Sequence, residues 1–118
     1  HAITDAILGA SKKGDIGQKY SNKNSKYKNI RSTILLSRVI KEVEENSFYI
    51  NNLDVNIITQ TPKISKYKHK IVKSISDICG ISKNKINIKG KTTEKLGLIG
   101  KEKAIACEVI ASISKYDL

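Results

Sequence analysis

The chain predicts an α/β sandwich, a small mixed β-sheet with helices packed on one face. Three observations carry that expectation. Apolar residues recur at helical spacing in three segments and alternate in three others. The order along the chain is helix, helix, strand, helix, strand, strand. At 118 residues, with no internal repeat or linker, the chain forms one domain (residues 1–118) large enough to bury a core.

Each element has its own signal. Ile3, Ala6, Ile7 and Ala10 share a helical face, and Gly14 reads as the stop. His1 and Asp5, four apart, lie on one side of that helix. Residues 14–17 form a turn. Residues 18–29, polar and lysine-rich apart from Tyr20 and Tyr27, read as a long surface loop. A second helix covers residues 31–46, with Leu36, Val39, Ile40 and Val43 as its apolar stripe. Leu53, Val55 and Ile57 alternate with Asp54, Asn56 and Ile58 in a strand. Thr61-Pro62 ends it and opens a third helix, with Pro62 in the tolerant first turn. Ile64, Tyr67, Ile71, Ile75 and Ile78 form its buried face and Gly80 its end. Residues 86–89 make a short strand, and Ile105, Cys107, Val109, Ala111 and Ile113 alternate in the last one. Ala106, Glu108, Ile110 and Ser112 then face away from the helices. A sheet face that mixes apolar and ionisable side chains is expected to meet another subunit.

Composition narrows the function classes. The formal charge is +11, from 22 basic and 11 acidic residues. That balance invites a nucleic-acid reading. Lysine outnumbers arginine twenty to two, however, and bidentate readout of phosphates and guanines leans on arginine. The abundance of Lys, Ile and Asn looks like AT-rich codon usage on solvated positions. No RNA-recognition, zinc-finger or recognition-helix motif is present, so nucleic acid is not expected as a partner. Cys79 and Cys107 lie in apolar runs and read as small buried thiols in a reducing compartment. No apolar run approaches membrane-spanning length and no signal-peptide pattern occurs, so no membrane partner is expected. The chain begins with His1 and contains no methionine, which is read as a missing N-terminal segment.

The most informative stretch is Lys89-Gly90-Lys91-Thr92-Thr93-Glu94-Lys95-Leu96-Gly97. A strand feeds a loop with two hydroxyls, one carboxylate and three lysines. Lysines and backbone N–H groups attract phosphate oxygens, threonines donate hydrogen bonds, and Glu94 offers a hard oxygen ligand to a divalent cation. By itself such a loop is also compatible with a solvated turn.

Three segments in register go further. They are residues 1–9 (His-Ala-Ile-Thr-Asp-Ala-Ile-Leu-Gly) with Gly14-Asp15-Ile16-Gly17, then 54–63 (Asp-Val-Asn-Ile-Ile-Thr-Gln-Thr-Pro-Lys), then 91–97 followed by Ile105-Ala106-Cys107-Glu108. Together they resemble the 2-C-methyl-D-erythritol 2,4-cyclodiphosphate synthases of non-mevalonate isoprenoid biosynthesis, over nearly the whole chain. The resemblance implies a metal-dependent phosphorus–oxygen lyase, a homotrimer with active sites between subunits. Its substrate would be 4-diphosphocytidyl-2-C-methyl-D-erythritol 2-phosphate, whose 2-phosphate attacks its own β-phosphate and releases CMP. Zinc and a magnesium or manganese ion would be the cofactors.

The same resemblance assigns residues. His1 matches a zinc ligand, whose two companions in an Asp-x-His pair precede this chain; with His1 as the one remaining ligand, zinc binding is expected to fail. Asp15, Ile16 and Gly17 match the turn that holds the erythritol moiety, with Tyr20, Asn22 and Asn24 following. Thr59, Gln60, Thr61, Pro62, Lys63, Ile64 and Ser65 match the stretch that receives the cytidine part. Thr92 matches the threonine that stabilises the transition state, and Glu94 the second-metal ligand. Lys91, Thr93, Leu98 and Lys101 are further substrate contacts. Glu108 matches a glutamate that faces a cavity on the trimer axis. The departures are Asn22 and Asn24 in place of aspartates, Arg31 where an aspartate is common, and Lys101 in place of a phosphate-binding arginine, which keeps charge but loses the fork. The rival expectation is a truncated, non-catalytic protomer that keeps the trimer fold. The expected location is a bacterial cytoplasm, or a plastid in a eukaryote.

Overall fold

The computed structural model describes residues 1–117. In chain order the elements are α1 (Ala2–Ala10), α2 (Ile16–Lys19), α3 (Ser32–Glu45), β1 (Phe48–Ile58), α4 (Lys68–Cys79), β2 (Ile86–Lys91), α5 (Gly97–Gly100) and β3 (Ala106–Lys115). β1 is the central strand, with β2 parallel on one side and β3 antiparallel on the other. Ile50, Leu53 and Val55 of β1 and Ile86 and Ile88 of β2 face Ile7 and Leu8 of α1, Leu36, Val39, Ile40 and Val43 of α3, and Ile75 and Cys79 of α4. The mixed sheet with one helical layer is the predicted architecture. On its other face Ile110 is 75% exposed, beside the exposed Glu108 and Ser112. Among the described residues no helix is long and apolar enough to cross a membrane.

Several boundaries differ from expectation, each for a local reason. α1 stops at Ala10, not Gly14, because the Ser11 hydroxyl bonds the Ile7 and Leu8 carbonyls (2.8 and 3.2 Å) and Lys12 turns left-handed (φ 56). Asp15 Oδ1 accepts the Gln18 N–H (2.8 Å), and this cap starts the four-residue α2 inside what reads as loop. β1 begins at Phe48, before the alternation at Leu53, because a bulge between Ile50 and Asn52 interrupts the period of two. The bulge lets Ile50 and Leu53 both point into the core, while Asn51 Nδ2 reaches Ser112 and Ser114 (3.1 and 2.8 Å).

Pro62 does not open a helix. The Thr61–Pro62 peptide is cis, a 3-10 turn follows at Ile64–Lys66, and α4 starts only at Lys68. Tyr67, at that junction, is 42% exposed and not part of the buried face. β2 runs on to Lys91. Ile105 precedes β3 and is 65% exposed. Cys107 is exposed rather than buried, one residue inside the start of β3. Cys79 is buried as expected. Burial first, then the Glu44 carboxylate, pushes its thiol up to about 11.

Two glycines permit close approach. A Cβ on Gly90 would fall 2.6 Å from Ile64 Cβ, so glycine here lets the 3-10 turn rest on β2. A Cβ on Gly100 would fall 2.6 Å from the Lys95 carbonyl oxygen, so α5 closes against the preceding loop only without one.

Gly100→Ala is expected to lower stability by about 1–3 kcal/mol through this clash. Gly9→Ala, with open space around the added methyl, is expected to raise it by about 0.5–1 kcal/mol. Urea unfolding of both variants checks the contrast; equal effects would contradict the packing. At pH 8, Ellman's reagent is expected to react with Cys107 in the folded chain and with Cys79 only after unfolding. Rapid reaction of both thiols would show that the helical layer does not seal Cys79.

Candidate functional site

The parallel pairing of β1 with β2 puts Ile58 opposite Lys91. One rung further, the Thr59 N–H donates to the Lys91 carbonyl (2.9 Å). The segments that leave both strands therefore start side by side. Between them lies a cleft of about 180 Å³, lined by Thr59, Gln60, Pro62, Lys63, Ile64, Ser65, Lys68, Gly90 and Thr92. Thr59 is buried, and its hydroxyl donates to the Thr61 carbonyl (2.6 Å), which shapes the loop without Thr61 lining the cleft. Lys68 and Gly90 belong to the lining but not to the sequence-predicted set. Both lie outside the 59–65 run, and only the docking of the 3-10 turn on β2 brings them in.

The loop after β2 is organised by its own hydroxyls. Thr92 Oγ1 accepts the Glu94 N–H (3.3 Å), which leaves its proton free to donate into the cleft. Thr93 is half-buried and donates its hydroxyl to the Leu96 carbonyl (2.7 Å), so that proton is committed inside the loop. Lys95 N–H donates to Gln60 Oε1 (3.0 Å), a bond that joins the two segments. Glu94 and Lys95 both take positive φ (54 and 66). Lys91, Glu94 and Lys95 are exposed, and the Glu94 carboxylate has no side-chain partner among the described residues. Leu98 (66% exposed) and Lys101 sit on and just after α5 and do not line the cleft.

A second recess of about 540 Å³ gathers His1, Ile16, Gly17, Tyr20 and Asn22, with Tyr27, Asn29 and Leu35. Among the described residues the two recesses share no lining residue. Asp5 Oδ1 accepts the Ile16 N–H (2.7 Å) and pins the turn to α1. Asp15 caps α2 with one oxygen, and Asn24 Oδ1 accepts the Lys26 N–H (3.0 Å); neither lines the recess. Tyr20 meets Tyr27 edge to face (centroids 5.2 Å apart). Burial first, and the Glu42 carboxylate second, hold the Tyr20 hydroxyl above its usual value. Glu42 also anchors Lys19 at 2.6 Å, tying α2 to α3.

The donor sets differ in their fit to metals. Among the described residues no group of three or more His, Cys, Asp or Glu side chains could hold an ion. His1 is exposed and makes no side-chain cap bond. A zinc centre takes three or four protein ligands, so the residues present do not form one. Glu94 does fit a hard divalent cation, which one carboxylate and substrate phosphates commonly share.

Residues 1–114 match the YgbB family profile. Over 117 residues the chain is 68% identical to the bifunctional enzyme IspD/IspF of Pelagibacter ubique, covering 99% of this chain and 32% of that protein. It thus spans about a third of the length of that relative. It is 42% identical to the 2-C-methyl-D-erythritol 2,4-cyclodiphosphate synthase of Caldicellulosiruptor bescii, covering 96% of this chain and 72% of that one. A solved IspF from Plasmodium falciparum in complex with CDP superposes with a TM-score of 0.81 at 40% identity, covering 96% of this chain and 67% of that one. A site carried by two strand ends, in a chain matched from its first residue almost to its last, leads to one assignment: the chain belongs to the YgbB family.

Proposed function

We propose that this chain converts 4-diphosphocytidyl-2-C-methyl-D-erythritol 2-phosphate to the 2,4-cyclodiphosphate and CMP, as a phosphorus–oxygen lyase in the cytoplasm of a bacterium. One observation carries the reading. The cleft of Thr59–Ser65 and the hydroxyl-and-carboxylate loop of Thr92–Glu94 adjoin, joined by the Thr59–Lys91 and Gln60–Lys95 bonds. A cleft beside a phosphate-binding loop suits a nucleoside diphosphate ester, and the similar Plasmodium falciparum protein was solved with CDP.

In the reaction, an oxygen of the 2-phosphate attacks the β-phosphorus. The bond from the β-phosphorus to the oxygen bridging it to the α-phosphorus breaks, and CMP leaves with that oxygen. No protein nucleophile is needed, so the chain's work is positioning and charge neutralisation. Backbone groups of Thr59–Ser65 hold the cytidine. Thr92 donates its free hydroxyl proton to a phosphoryl oxygen as negative charge shifts in the transition state. Lys63, Lys68, Lys91 and Lys101 supply positive charge around the phosphates. A magnesium or manganese ion held by Glu94 would neutralise charge on the α- and β-phosphates when bound. The recess of His1, Gly17, Tyr20 and Asn22 takes the erythritol end, and Asp15 caps the helix that carries Gly17.

Among the described residues the two recesses share no lining residue, which favours a site completed between subunits of a homotrimer. The uncovered sheet face suits that assembly. Asn56 Oδ1 is buried there without a hydrogen-bond partner among the described residues, an acceptor that a neighbouring protomer's donor would satisfy. Nearby, Asp54 accepts from Asn87 (3.1 Å) and Lys89 (2.9 Å), and these bonds hold its carboxyl below the usual carboxylate range. Its charge is therefore retained well into mild acid and lost only as pH falls through that lowered value.

Incubation of the natural full-length protein with the diphosphocytidyl substrate and magnesium is expected to release CMP, followed by chromatography; intact substrate would sink the assignment. Thr92→Ala is expected to lower kcat by about 10²–10³ with little change in KM. Ile110→Glu, which puts a charge on the exposed face of every protomer, is expected to convert trimers to monomers in sedimentation velocity. A monomeric parent protein would rule out the shared site.

A further inference from the structure

We infer that Gln60 is a positioning residue, whose side-chain carbonyl holds the Glu94 loop to the nucleotide cleft so that the two move as one body. Its consequence for catalysis rests on the function proposed above, while the contact rests on geometry alone. Lys95 N–H donates to Gln60 Oε1 at 3.0 Å, between residues 35 apart in sequence. The bond falls where the chain needs holding. Glu94 and Lys95 are consecutive non-glycine residues at positive φ, a region that any residue with a Cβ disfavours. Two contacts constrain that turn from outside it. The Gly100 backbone lies so near that a Cβ there would fall 2.6 Å from the Lys95 carbonyl oxygen, and the Gln60 side-chain oxygen accepts the Lys95 N–H. The backbone just before Gln60 is itself held, because Thr59 donates its N–H to the Lys91 carbonyl. Gln60 also lines the cleft with Pro62 and Thr92. The amide whose oxygen accepts from the carboxylate loop thus stands in the wall of the cleft.

The test compares Gln60→Leu, which removes the acceptor at similar size, with Gln60→Glu, which keeps one. In the parent protein and in Gln60→Glu the Lys95 amide is expected to be protected in hydrogen exchange. In Gln60→Leu it is expected to exchange about fivefold faster, with amides of β1 and β2 unchanged. CDP affinity by calorimetry is expected to stay within about twofold, while kcat falls at least about tenfold from the displaced loop. Unchanged exchange at Lys95 in Gln60→Leu would overturn the contact. A loss of CDP affinity as large as the loss of kcat would overturn the positioning role, since Gln60 would then be a nucleotide contact. Should the parent protein release no CMP, the proposed function fails, and the exchange data still decide the contact.

Discussion

Everything at the candidate site depends on the parallel pairing of β1 and β2. Side-by-side strands running in one direction deliver their carboxyl ends to the same edge of the sheet. That edge is where open α/β sheets bind ligands, because the segments leaving the strands diverge there and leave a crevice. Here the register Ile58↔Lys91 fixes which residues leave together, and the Thr59–Lys91 bond extends the ladder by one rung. Slipping β2 by one residue against β1 would turn Ile86 and Ile88 out of the core. The hydrophobic core and the position of Thr92 beside Thr59 are thus one constraint.

The second feature of the design is division. One recess holds Thr59, Lys63 and Thr92, and a separate one holds His1, Gly17 and Tyr20. A ligand with a cytidine at one end and a branched polyol phosphate at the other needs both. The uncovered face fits the same logic. It bears an exposed Ile110, the ionised Asp54–Lys89 pair and a buried, unpartnered Asn56 carbonyl. A free protomer leaves that acceptor unsatisfied, a cost that a neighbouring chain would relieve.

What could be read from the sequence was what short-range periodicity encodes. The stripes of α3 and of the C-terminal half of α4, and the alternation from Leu53 to Ile57 and from Val109 to Ile113, gave the helical layer and the sheet. The extent of β1 could not be read, because the bulge at Asn51 breaks its period. The delayed start of α4 could not be read either. A proline is compatible with a helix's first turn and with an extended segment before one, and only the docking of Ile64 on Gly90 separates them. Cys107 follows the alternation of a buried strand yet is exposed, since alternation reports which face a residue takes and not how far along the sheet the covering layer extends. The residues expected at the site came from family segments, and of these the structure gathers Thr59, Gln60, Pro62, Lys63, Ile64, Ser65 and Thr92 around one cleft. Lys68 and the Gln60–Lys95 bond were not, since both arise from contacts between segments far apart in sequence.

The lysine-rich surface can now be weighed against the site. Most lysines lie away from both recesses, and two of the ion pairs, Lys73–Asp77 and Lys89–Asp54, are solvent-exposed. Exposed pairs of this kind contribute little to stability. A few lysines differ in kind. Lys63 and Lys68 line the cleft, and Lys91 adjoins it at the end of β2. On the proposed function, a point charge on a flexible stem would suit these positions, since phosphates would be neutralised without a fixed fork while the backbone at Thr59–Ser65 and the hydroxyl of Thr92 would supply geometry. On that proposal the stiff elements would set direction and the ammonium groups would supply charge. On that division, a lysine at position 101 in place of arginine is compatible with phosphate binding, and the loss of the guanidinium fork falls on a residue outside the cleft lining.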